Sequence, residues 1–312
     1  MPTVGLIGVG LIGRAWANVF ARAGWDVRLW DPDPAALAAA PGLIAQSLED
    51  VRAHGLGTDP GAAARRVTAA ASLAQAVADA QYVQESGPER LDVKRAVFAE
   101  IDAAAPANAI IASSSSFIVT SRFADGLKGG HRCLVAHPVN PPHVVPIVEL
   151  SGADFTAPEV IQRAKKIFDG VGQVPIVVKK EIDGFILNRM QAVLLSEAMR
   201  LVGEGYVSAE DLDKTIRDGL GLRWAFMGPF ETIELNAPGG TPDYCARYGE
   251  TLYRVSSRPV TPEVWGADNI ARVAASWGRT PTAEAILEKQ RWRDDRLAAL
   301  VAHKRAQPKA PA

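Results

Sequence analysis

The 312 residues predict an α/β protein: a doubly wound, mostly parallel sheet followed by an all-helical C-terminal domain. Three observations carry that expectation. Short runs rich in β-branched residues alternate with helical patterns over the first 180 residues. A glycine-rich turn joins the first run to the first helix. Beyond Lys180 no strand pattern returns.

The strands are expected at TVGLIG (3–8), VRLW (27–30), YVQES (82–86), AIIASS (109–114), RCLVAH (132–137), VVPIVEL (144–150) and VPIVVK (174–179). Each is short and bounded by Gly, Pro or Asp. LIGRAWANVFARA (11–23) and LDVKRAVFAEIDAA (91–104) have helical spacing between them. Strands and helices alternating at this interval predict a sheet covered on both faces. After Lys180, FILNRMQAVLLSEAMRLVGEG (185–205) reads as one long helix that stops at glycines. Ser208 then caps a second, with Asp211 three residues on in the manner of a capping box. The stretch AILEKQRWRDDRLAALVAHKRAQ predicts a last amphipathic helix. The domains are therefore expected at 1–182 and 183–312.

Composition excludes several partners. Lys plus Arg number 34 against 35 Asp plus Glu, so there is no basic footprint for nucleic acid. No run of about 18 apolar residues, the length needed to span a bilayer, appears. The opening residues lack the cationic start and cleavage pattern of a secretory signal. Cys133 and Cys245 stand at no metal-ligand spacing, so two buried thiols in a reducing compartment, the cytoplasm, are expected and no metal.

Gly8-Val9-Gly10-Leu11-Ile12-Gly13 is a G-x-G-x-x-G run placed directly after a strand and opening a helix. Gly8 permits the tight turn, Gly10 lets a pyrophosphate approach the backbone, and Gly13 lets helix and strand pack closely. The free N–H groups of the helix N-terminus suit phosphate. Asp31 ends the second strand, 18 residues past Gly13, where a carboxylate accepts both ribose hydroxyls and repels a 2′-phosphate. The domain is therefore expected to be Rossmann-type and its cofactor NAD.

His137 ends a strand, before the helix-incompatible segment Pro138-Val139-Asn140-Pro141-Pro142. Ligands of open α/β sheets collect at that end of the strands. Glu149 lies on an otherwise apolar strand, where it needs a partner. Paired with His137 it would fix the imidazole tautomer, leaving a neutral nitrogen to take a hydroxyl proton. A purely structural His–Glu pair fits the pattern equally well. Ser113 to Ser116 follow the strand before it and reach the same edge of the sheet. Asn188 is a mediocre helix former within the long helix, for which a substrate or backbone partner, or exposure, accounts equally.

These pieces resemble the 3-hydroxyacyl-CoA dehydrogenase superfamily. PERLDVK (88–94), SSSS (113–116), AHPVNPP (136–142), EIDGFILNR (181–189) and DGLGLRWAFMGPFET (218–232) carry the likeness. The resemblance implies NAD-dependent oxidation of a 3-hydroxyl. It implies His137 as base, Glu149 as its partner, Ser115 bonded to the reacting oxygen and Asn188 reaching in from the helical domain. The SSxxxTS motif favours Ser115 in that role, whereas the spacing to His137 favours Ser116. Asn140 and Ser116 are candidate substrate contacts; Glu89, Lys94, Ser113, Leu11, Ile12 and Asp31 match cofactor positions. A homodimer through the helical domain is also implied.

One departure bears on substrate. The acyl-CoA members carry a longer, lysine-rich helical hairpin after the second strand that helps hold CoA. Here AQSLEDVRAHGLGTDPGAAARRV is short and has no lysine. A small free hydroxy acid is therefore expected rather than a thioester, with Arg223 available to clamp its carboxylate. Members of this family also serve as abundant structural proteins, so a non-catalytic role is the competing class.

Overall fold

Alternation along the strands builds two cores. Val4 and Leu6 face one side of the sheet with Tyr82, Ile110, Ala112, Leu134 and Ala136, while Ile7, Val83, Ile111, Cys133 and Val135 face the other. The computed structural model describes residues 1–57, 59–256, 260–276, 278 and 282–308. Its sheet has eight strands: β1 Thr3–Ile7, β2 Asp26–Trp30, β3 Val67–Ala69, β4 Tyr82–Glu85, β5 Ile110–Ser113, β6 Cys133–Pro138, β7 Ile147–Ser151 and β8 Val174–Val178. Their spatial order is β3-β2-β1-β4-β5-β6-β7-β8.

Every neighbouring pair is parallel except β6 and β7. Too few residues join those two for a crossover, so the chain turns back on itself and the pair is antiparallel. The helices Leu11–Arg22, Pro34–Ala53 and Pro158–Gly170 supply Phe20, Ile44 and Phe168 to the first core. Leu91–Ala104 and Thr120–Ala124 supply Phe98, Ile101 and Phe123 to the second. All seven expected strands are present. β3 was not expected, being only three residues long.

The chain divides into two compact units, residues 1–188 with 288–312, and residues 189–287. The second unit is helical among its described residues, with Gly240–Ser256 its longest complete helix. Ser208 caps Ala209–Lys214 by accepting from Asp211 N–H at 3.0 Å, as its spacing predicts. The placement of the final helix, Ala283–Ala306, differs from the expected boundary. Ala298, with Leu297, Val301 and Ala302, packs on Val51, Leu56 and Val144, and Asp295 pairs with His54 at 2.8 Å. Those contacts give the helix from Glu288 onward to the first unit. Of the two thiols, Cys133 is buried, its pKa pushed up to about 12 by burial and the Asp102 charge. Cys245 is exposed, contrary to expectation. Among the described residues no group of His, Cys, Asp and Glu could hold a metal, and no helix is long and apolar enough to cross a membrane.

Candidate active site

The glycine turn is shaped as its spacing requires. Gly8 has φ +94°, and a Cβ there would meet the Ser86 backbone at 2.9 Å. A Cβ on Gly13 would stand 1.9 Å from the Gly8 carbonyl oxygen, so the helix Leu11–Arg22 packs that closely only without one. Gly10 faces open space, the cradle that a pyrophosphate would fill. Leu11 beside it is half exposed and Ile12 partly buried. Asp31 is braced by the backbone, accepting from Val9 N–H at 2.8 Å and Asp33 N–H at 2.9 Å. Its carboxylate is thereby aimed beside the turn. This donor and acceptor set fits a dinucleotide whose adenosine ribose carries free hydroxyls.

Next along the sheet, the ends of β4 and β5 form a buried polar cluster. Lys94, 1% exposed, lies 2.9 Å from Glu85 Oε2 and 3.2 Å from both Glu85 Oε1 and Ser113 Oγ. Ser113 in turn donates to Glu85 at 2.6 Å. Glu89 Oε1 accepts from the Ser115 hydroxyl at 2.6 Å and from the amides of Ser116, Phe117 and Ile118 at 2.9 to 3.2 Å. Partial burial pushes the Glu89 carboxyl up, but these donors and the Lys94 charge outweigh it and hold it below its usual value. Neighbouring Ser114 gathers Trp16 Nε1, Gln84 Nε2 and the Ser86 hydroxyl within 3.1 Å, tying the glycine-turn helix to both strands.

His137 and Glu149 stand opposite each other across β6 and β7. His137 Nδ1 lies 2.8 Å from Glu149 Oε2, and both residues are buried. With Nδ1–H donated to the carboxylate, Nε2 keeps its lone pair. The second carboxylate oxygen accepts from Ile186 and Leu187 N–H at 2.9 and 3.0 Å, at the start of the helix Leu187–Gly203. One carboxylate thus sets the tautomer and fixes the helix start. Phe185, fully buried at φ +49°, places its ring 5.3 Å from the imidazole. Asn188, one turn along, donates to the Ser116 carbonyl at 3.0 Å.

Ser113 to Ser116, His137, Glu149 and Asn188 therefore gather at the carboxyl end of the sheet. Asn140 is exposed just beyond β6, after which the Asn140–Pro141 peptide is cis. Arg223 is exposed in the second unit. Glu85 and the Gln84–Ser114 link went unremarked in the sequence. Yet Glu85 carries a signal like that of Glu149, an acid on a buried strand.

A glycine turn, an acid on the second strand and a histidine–carboxylate pair across the cofactor crevice define the class: an NAD-dependent dehydrogenase. Two family models match the chain. The NAD binding domain of 3-hydroxyacyl-CoA dehydrogenase matches residues 3–182, and its C-terminal domain matches 184–273. The chain belongs to the 3-hydroxyacyl-CoA dehydrogenase family, whose members are oxidoreductases. It is 42% identical over 311 residues to a lambda-crystallin homolog of Bos taurus, covering 98% of this chain and 96% of that one. It is 38% identical over 302 residues to an L-carnitine dehydrogenase of Pseudomonas aeruginosa, covering 96% and 93%. Among solved structures, 5-formyl-3-hydroxy-2-methylpyridine 4-carboxylic acid 5-dehydrogenase, an NAD+ dependent dismutase, superimposes with a TM-score of 0.85 at 27% identity, covering 99% and 100%.

Proposed function

We propose that the protein oxidises the 3-hydroxyl of a small free hydroxy acid, with L-gulonate to 3-dehydro-L-gulonate as the first substrate to test. The His137–Glu149 pair carries the reaction type. Nε2 takes the hydroxyl proton, and Glu149 stabilises the imidazolium that forms. The glycine turn and Asp31 would hold NAD+, which would supply the hydride acceptor needed to convert the carbinol to a ketone. Ser116 suits the role of donor to the reacting oxygen better than Ser115. The Ser115 proton is committed to Glu89 and its lone pair to Ile118 N–H at 2.8 Å, whereas Ser116 is partly exposed and positioned through Asn188.

The lysine-free helices Pro34–Ala53 and Pro60–Ala64 offer little to the phosphates of CoA. Exposed Arg223 is a candidate clamp for a carboxylate. Similarity to the lambda-crystallins, the L-gulonate 3-dehydrogenase branch of the resemblance, puts L-gulonate first, and 38% identity to an L-carnitine dehydrogenase puts L-carnitine second. We further propose a cytoplasmic homodimer formed through the helical unit. Large side chains exposed there, Phe230 at 78% and Tyr253 at 72% among them, are consistent with such an interface.

The test is NADH production from L-gulonate, L-carnitine and 3-hydroxybutyryl-CoA, measured side by side on the wild type and on His137→Gln. The expected result is turnover of a free acid and a loss of roughly 10²–10⁴-fold in kcat in the folded variant. Turnover of the thioester alone would overturn the substrate class. Unchanged turnover in His137→Gln would overturn the base.

A further inference from the structure

We infer that Glu89 sets the redox preference of the cofactor site, favouring the cationic nicotinamide of NAD+ over the neutral ring of NADH. Two carboxylates, Glu85 and Glu89, share one ammonium, that of Lys94, at 2.9 Å and 3.7 Å. Lys94 and Glu85 are buried and contact each other through both carboxylate oxygens. Glu89 is the member that reaches solvent, its side chain 38% exposed. All four of its hydrogen-bond donors are neutral groups. Nearby Arg90 adds no net charge, since it pairs with Asp92 at 2.5 Å. The cluster therefore presents one uncompensated negative charge.

Its position follows from the strand order. A dinucleotide crosses the crevice where the order reverses, here between β1 and β4. Asp31 at the end of β2 takes the adenosine ribose, and the N-terminus of the helix Leu11–Arg22 takes the pyrophosphate. The nicotinamide must then extend to the other side, over the ends of β4 and β5. Glu85 ends β4, and Glu89 is fastened to the segment that follows β5. The two redox forms differ by one positive charge on that ring. The whole chain carries a formal charge of only −1, so local charge dominates the discrimination. Four hydrogen bonds keep the carboxylate in place before cofactor arrives, and the donors that lower its pKa keep it ionised at neutral pH.

The test measures dissociation constants, not turnover. NADH is titrated by nicotinamide fluorescence and NAD+ by its displacement, on the wild type, Glu89→Gln and Glu89→Asp. In Glu89→Gln, NAD+ should weaken roughly five- to tenfold, as expected for one charge at several ångströms near a protein surface, with NADH held within about twofold. Glu89→Asp should keep the wild-type ratio. Equal weakening of both forms would reduce Glu89 to an ordinary contact, and no change in either would remove it from the site; both overturn the proposal. If Gln prevents folding, the wild type carries the test alone. The ratio of NADH to NAD+ dissociation constants should fall as NaCl rises from about 0.02 to 0.5 M, and a salt-independent ratio overturns the proposal. Binding of neither form to the wild type would instead overturn the cofactor reading on which the inference rests.

Discussion

Two adjacent serines illustrate how burial separates roles that spacing leaves joined. Ser115 is 1% exposed, with its hydroxyl satisfied on both sides: it donates to Glu89 and accepts from Ile118 N–H. A buried hydroxyl so engaged gains nothing by turning toward a substrate, because Glu89 would lose its strongest neutral donor. Ser116 has no such engagement of its side chain, and its carbonyl is steered by Asn188. Ser116→Ala should therefore lower kcat at least tenfold while leaving NADH affinity near wild type. Ser115→Ala should instead loosen the Glu89 anchorage, weakening cofactor binding and lowering Tm, with the smaller effect on kcat. Steady-state kinetics beside NADH fluorescence titration separates the two; the reverse pattern would return the catalytic role to Ser115. The sequence could not choose between them because both lie in a run of four serines. The proposed choice rests on which hydroxyl meets Glu89, a contact 26 residues away in the chain.

At the scale of elements, the helix Leu11–Arg22 and its glycine turn show two kinds of requirement in one motif. Gly13 is needed by the fold: an added Cβ would collide with the Gly8 carbonyl at 1.9 Å, a backbone contact that cannot move aside. At Gly10 nothing lies within 4 Å of an added Cβ, so the fold leaves that position free and the proposed pyrophosphate is what would need it. Gly10→Ala should fold with a Tm close to wild type and lose NADH affinity, whereas Gly13→Ala should lose stability outright, by several kcal/mol. Thermal melts with and without NADH check both, and a stable Gly13→Ala would contradict the packing. This element was legible because its glycines, its strand and Asp31 stand at fixed spacing. The His137–Glu149 pair was legible for a different reason, since an acid on an apolar strand demands a partner. β3 was not legible, because three residues give alternation nothing to repeat. The antiparallel pairing of β6 and β7 went unremarked in the sequence, although the connection is too short for a crossover.

At the scale of the molecule, the surprise is the final helix, which the sequence reading placed in the helical domain and whose residues from Glu288 onward group with the first unit. The structure does not bear out the amphipathic pattern expected of this helix: Ala298 is its one buried residue, so no apolar stripe announces its partner. Its charges leave a clearer mark. His143, six residues past the candidate base, is largely buried, with Nδ1 unpartnered. Burial, then the charges of Arg22 and of Arg293 on the final helix, lower its pKa to about 4. Arg22 donates to the His143 carbonyl at 2.7 Å and is itself lowered to about 10, by burial and then by Arg305 on the same helix. The consequence for stability has a definite sign. An unfolded histidine takes its proton near pH 6.5, whereas folded His143 takes it only near pH 4. Between those values the unfolded state binds more protons, so stability falls as pH drops from about 6.5 to 4 and is regained on returning to neutral. A shift of this size corresponds to roughly 2–3 kcal/mol across the window. His143→Phe keeps a ring and removes the titration. Urea unfolding at half-unit steps from pH 7 to 4.5 should therefore give a flatter profile for the variant than for the wild type. The His54–Asp295 and His137–Glu149 pairs are common to both proteins, so the difference between the curves belongs to His143. Parallel curves would mean that His143 protonates alike in both states, and that the arginines of the final helix do not face it in solution.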